Sequence, residues 1–159
     1  MDMLGRLLLR LILVPLAAAV AVTVAAAFVI VAHWNALQAV LHAHPEAQED
    51  YVIALLVGGP LLAVLLSSWV LHTFMLASIG VLIAEGFAIR SWIFHAANGG
   101  LSGWLGWTLT QDIGDTYGLL TDPTILVAAG LAAGFAYWAV AGSTAGFWKP
   151  IQSRRPDRP

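Results

Sequence analysis

The sequence predicts an all-α fold, an integral membrane bundle of four transmembrane helices. Three observations predict it. First, 60% of the 159 residues are hydrophobic and 10% are charged, against roughly 45–50% and 25% in ordinary globular proteins. The mean hydropathy is +0.83, and so few charges cannot cover the surface of a soluble domain. Second, charge-free runs recur that match the roughly 20 residues needed to cross a hydrocarbon core about 30 Å thick. Third, Lys and Arg concentrate at the two chain ends, while two internal loops hold acids alone. The formal charge of −2 leaves no basic face for nucleic acid. The absence of cysteine removes disulfides, thiolate metal sites and a cysteine lipid anchor.

The first span is read at 11–32, behind a short head carrying Arg6 and Arg10. The small residues Ala25, Ala26 and Ala27 give this region the look of a secretory signal. A cleaved signal has an apolar core of about 7–15 residues, whereas this run continues to His33 and Trp34, as an uncleaved span does. Pro45 stops any helix begun near Trp34, and Glu46, Glu49 and Asp50 make the first acidic loop. From Tyr51 to Ala84 there is no charge. One helix of that length measures about 50 Å, too long for a single crossing. The polar cluster Ser67-Ser68-Trp69 to His72-Thr73 is the expected break, so the second span is placed at 51–71.

The third span is placed at 74–97, with Glu85 near mid-membrane. Gly99, Gly100, Gly103 and Gly106 argue against the competing span 91–109, because glycine weakens a helix. In that alternative, Phe74–Ile89 folds back at the cytoplasmic surface and Ser91–Leu109 crosses. The positive-inside rule favours it, since Arg90 then lies inside. Asp112, Asp115 and Asp122 form the second acidic loop, and the fourth span runs over 124–142. Residues 1–148 thus make one membrane domain. The tail 149–159 holds Lys149, Arg154, Arg155, Arg158 and three prolines, and is expected to be a disordered, basic cytoplasmic segment. Cytoplasmic ends carry excess Lys and Arg, so both termini are assigned to the cytoplasm, which requires an even number of spans. Trp34, Tyr51, Trp69, Trp104, Trp107 and Trp148 fall near the expected interfaces, where aromatic residues collect.

Four polar residues are candidates for function: Glu85, Arg90, His72 and His95. An ionisable group at the bilayer centre costs about 2.5–3.5 kcal/mol on insertion scales and marks a function or a firm pairing. Arg90 is the nearest counter-charge in sequence, but five residues turn it about 140° round the helix from Glu85. Pairing needs a bend, which Gly86 permits. Both groups also fit plain interfacial anchoring. His72 and His95 are the relay candidates should Glu85 carry protons. A haem needs two imidazoles facing one another at one depth, and a metal needs converging ligands. His33 and His72 fall on opposite sides, His95 approaches His33 only if the third span is 74–97, and His42 and His44 point apart. No metal or cofactor is therefore assigned. No His-Glu-x-x-His, Gly-x-Ser-x-Gly or phosphate-loop pattern occurs, so an enzyme is not expected.

Small residues recur at helix spacing. Ala17, Ala21 and Ala25 line the first span, Gly130 and Gly134 the fourth, and Gly142 and Gly146 repeat the interval. Such stripes let backbones approach where lipid removes the hydrophobic drive. They serve either internal packing or contact with a second copy or another membrane protein.

The stretch Ala84-Glu85-Gly86-Phe87-Ala88-Ile89-Arg90-Ser91 through Phe94-His95, with Gly99-Gly100 beyond, joins Tyr137-Trp138, Ala141-Gly142 and Ala145-Gly146. Together they resemble a group of small uncharacterised bacterial inner-membrane proteins, mostly alphaproteobacterial. The likeness covers the last two thirds of the chain and implies a bacterial inner membrane and four helices, with no activity to carry over. The expectation is a non-enzymatic inner-membrane protein that packs or assembles with others. A small proton- or ion-coupled carrier using Glu85 is the alternative, and a haem-binding redox subunit a remote one.

Overall fold

The computed structural model describes residues 3–35, 38, 42, 44–114 and 122–146. These form four α-helices and no strand: α1 (Met3–Ala32), α2 (Pro45–Phe87), α3 (Trp92–Gly114) and α4 (Pro123–Val140), followed by a 3₁₀ turn at Gly142–Thr144. Three of the four hold stretches long and apolar enough to cross a membrane, namely Leu8–Ala32, Ser67–Phe87 and Pro123–Val140. The expected tail 149–159 and Asp115 lie outside the described residues.

Local chemistry explains the helix limits. Pro45 sits in the first turn of α2 behind an extended His44, where its missing N–H is no loss. Asp122 caps α4 by accepting from the Thr124 backbone N–H at 2.9 Å. The Thr124 hydroxyl and then its amide hold the Asp122 carboxyl below the usual carboxylate range. Pro15 and Pro60 lie inside α1 and α2, as lipid-embedded helices tolerate.

Two expected boundaries are corrected. The break at Ser67–Thr73 is absent, and α2 runs unbroken for 43 residues. His72 bonds within the helix there, its Nδ1 facing the Ser68 carbonyl at 2.7 Å, as Ser78 does further on by donating to the Phe74 carbonyl at 2.7 Å. A hydroxyl or imidazole satisfied one turn back gives the backbone no reason to open. Nor is 74–97 one helix. The chain reverses over Ala88–Ser91, where Ala88 adopts the left-handed conformation (φ 58°) and the Ile89 amide returns to the Ala84 carbonyl at 2.8 Å. That is the six-to-one closure of a helix end. The helix after it is α3, close to the alternative span 91–109.

Helix α4 is the hub, packing most extensively along α3 and next along α1, while α3 packs along α2. Every pair is antiparallel. Gly99 of α3 meets Gly130, and Gly103 meets the Leu126 carbonyl, so residue numbers rise on one helix as they fall on the other. Asn98 donates to the Ala77 carbonyl of α2 at 3.0 Å, and Thr73 lies against Gly106. Ala17 of α1 is wholly buried with Tyr137 and Ala141 of α4, flanked by Leu13, Ala21, Val81 and Val140. The outer faces stay apolar, with Leu11, Leu56, Leu82 and Phe87 among the exposed side chains.

Candidate functional site

Antiparallel pairing brings the start of α1, the end of α2, the start of α3 and the end of α4 to one end of the bundle. Polar side chains converge there. Arg10, on the first turns of α1, ion-pairs through Nη2 with Glu85 Oε1 on the last turn of α2. Its Nη1 donates to the Ala141 carbonyl at 3.0 Å and to Thr144 Oγ1 at 2.8 Å. The other Glu85 oxygen accepts the Gly146 backbone N–H at 3.2 Å. The two side chains are only 14% and 20% exposed, so water screens the pair weakly.

The arrangement also completes the end of α4. The final carbonyls of a helix have no partner within it and carry its negative pole. Arg10 supplies both a donor and a positive charge at that point. Gly146 has a positive φ of 69°, and a Cβ there would run into Ala88. The left-handed end of α2 and the left-handed turn after α4 therefore lie in direct contact, which only glycine at 146 allows.

Arg90 is stitched to the same turn. Its Nε donates to the Ala145 carbonyl at 2.9 Å, and its own carbonyl accepts from Trp138 Nε1 at 2.8 Å. His95 is 2% exposed. Its Nε2 faces the Ile89 carbonyl at 3.3 Å, and its ring lies 5.5 Å from that of Tyr137. Gly142 leaves room for that imidazole, because a Cβ would stand 2.8 Å from Nε2. Arg10 Nε, His95 Nδ1 and the Tyr137 hydroxyl are buried without a hydrogen-bond partner among the described residues.

Of the four sequence candidates, Glu85, Arg90 and His95 meet at this end. His72 stays apart, bonded within α2. His95 does not approach His33, which closes the opposite end of α1 and bonds back to the Val29 carbonyl at 2.9 Å. The counter-charge for Glu85 is Arg10, not Arg90; the helix ends between Glu85 and Arg90, and their geometry along one helix ceases to matter. Arg10 and Tyr137 were missed as site residues. Placing Arg90 on the side of both termini would have brought Arg10 within reach of Glu85.

The glycine stripe on α4 packs internally. A Cβ on Gly130 would strike the Gly99 carbonyl, and one on Gly134 the His95 carbonyl. Ala17 and Ala21 pack on α4, with Ala25 partly covered further along α1. The partner stripe on α3, Gly99 and Gly103, escaped notice because it was read as helix-weakening. Among the described residues, no group of three His, Asp or Glu side chains gathers as a metal site. No family model, curated protein or solved structure matches the chain.

Proposed function

We propose that this chain is a four-span, non-enzymatic inner-membrane protein, with both termini in the cytoplasm, that acts as an assembly or accessory component for other membrane proteins. The observation that carries the reading is the use made of Glu85. Its carboxylate joins three helix ends, with Arg10 on one oxygen and the Gly146 amide on the other. A charge bound in this way holds a bundle in shape, and what it leaves for outside contact is the apolar surface.

The fourth crossing is α3. Its 23 residues reach about 35 Å, enough for the hydrocarbon core. Its glycines and Asn98 lower its hydropathy but face α4 and α2 rather than lipid. With α3 crossing, all seven Lys and Arg residues fall on one side, together with both termini. That distribution supports the cytoplasmic assignment.

Extraction in a mild detergent tests the assembly reading. The protein is expected to migrate as a complex, with itself or with a second membrane protein, and to lose that mass in a harsher detergent. A partner-free monomer at the gentlest extraction that dissolves it overturns the proposal. A carrier using Glu85 is the second reading, and one observation favours it. The buried His95 Nδ1 and Tyr137 hydroxyl, on rings 5.5 Å apart, have no hydrogen-bond partner among the described residues and lie at the same end of the bundle as Glu85.

A further inference from the structure

We propose that the turn between α2 and α3 is a binding site for one anionic phospholipid, whose phosphate sits on the Arg90 guanidinium and whose acyl chain lies along Trp92, Phe135 and Trp138. The inference rests on the crossing of α3 proposed above, which puts this turn at the level of the lipid headgroups.

The geometry of Arg90 points to a ligand. Its Nε is held by the Ala145 carbonyl at 2.9 Å, and its backbone is held by the Trp138 indole. The guanidinium is thereby oriented, yet the residue is exposed. Among the described residues, nothing bonds to Nη1 or Nη2. A fixed guanidinium edge with four N–H donors matches a phosphate better than a loose ammonium does. An interfacial arginine that only snorkels to water has no need of such anchoring.

Charge balance makes the partner external. Glu85 is the one acid among the described residues at this end, and its two oxygens are taken by Arg10 and Gly146. Among the described residues no further acid balances the charge of Arg90, which stands beside a bilayer whose cytoplasmic leaflet is anionic.

An apolar track adjoins the charge. The Trp92 and Phe135 rings meet edge to face at 6.2 Å, and Phe135 and Trp138 lie 5.5 Å apart. Trp92 is 50% exposed and Phe135 49%, so the strip opens outward from α3 and α4. Its end at Trp138 is tied to the Arg90 carbonyl. Headgroup charge and chain contact thus come within one lipid's reach.

The experiment is native mass spectrometry of the full chain with phosphatidylglycerol and phosphatidylcholine offered together at low molar ratio. One phosphatidylglycerol per chain is expected to be retained, at least tenfold over phosphatidylcholine. Arg90→Gln is expected to lower that preference about tenfold, and Arg90→Lys to keep part of it. Trp92→Ala leaves every Arg90 bond intact and is expected to weaken retention several-fold, so the inference remains testable if Arg90→Gln unfolds. Equal retention of the two lipids overturns it. So does a preference that survives both Arg90→Gln and Trp92→Ala, which would belong to the basic tail. Displacement of the lipid by millimolar inorganic phosphate overturns it as well, because the site would then take a free anion. Failure of the crossing itself is read separately, from maleimide labelling of single cysteines at Ser91 and Asn98.

Discussion

Arg10 and Glu85 show how a costly residue is made tolerable in a membrane. Neither would be stable alone at a helix end that is mostly covered, since a buried charge without a partner costs several kcal/mol. Together they satisfy one another, two carbonyl or hydroxyl acceptors and one backbone N–H. Glu85→Gln removes the charge and keeps the shape, and is expected to lower stability by about 1–3 kcal/mol. Removing Arg10 as well should cost less than the sum of the single losses, with a coupling of about 1–2 kcal/mol. Unfolding in mixed micelles measures both. The same Glu85→Gln protein in liposomes addresses the carrier reading: dissipation of an imposed pH gradient at the wild-type rate removes it. That Glu85 needed a partner was legible in the sequence. Which partner was not, because Arg10 lies 75 residues away and spacing along one helix says nothing about neighbours on another.

Among the elements, the glycines of α3 and α4 carry most of the information. Read singly, Gly99 and Gly103 weaken a helix by about 0.8–1 kcal/mol each. Placed against Gly130 and Gly134, they permit backbone contact that no larger residue allows. The expected placement of the third span erred for this reason, since a propensity scale counts the loss and has no entry for the neighbour's carbonyl. Glycine at Gly86 is different, with nothing within 4 Å of a Cβ. Gly130→Ala is therefore expected to destabilise by about 1–3 kcal/mol through forced separation of α3 and α4. Gly86→Ala is expected to be neutral or stabilising by up to about 1 kcal/mol. Thermal unfolding of the two variants side by side checks the opposite signs. The second misplaced boundary has a related cause: Ser68 and His72 look like part of a break in sequence, but His72 is held one turn back by the Ser68 carbonyl.

At the scale of the molecule, membrane residence could be read from composition, because it follows from averages over many residues. The position of the turn between α2 and α3 could not. Hydropathy placed Glu85 at mid-bilayer, while Arg90 pulled the same segment to the surface, and the structure ends the helix between them at Phe87. The absence of cysteine makes the resulting topology directly measurable. Single cysteines at Ser91 and Asn98 are expected to differ: Ser91 should react with an impermeant maleimide only after the cytoplasmic face is opened, and Asn98 in neither condition. Labelling of Asn98 from outside intact cells would remove α3 from the membrane core and overturn the fourth crossing.

The Arg10–Glu85 network also sets an order of events during synthesis. Arg10 is made well before its acceptors Ala141 and Thr144, which follow 131 and 134 positions later. At about 5–20 residues per second, α1 waits on the order of ten seconds before the last acceptors of its arginine exist. Until then the ribosome still holds the segment that fastens α1 to the turn after α4. A nascent chain halted before Ala141 would present Arg10 and Glu85 to the insertion machinery without the backbone groups that complete their network.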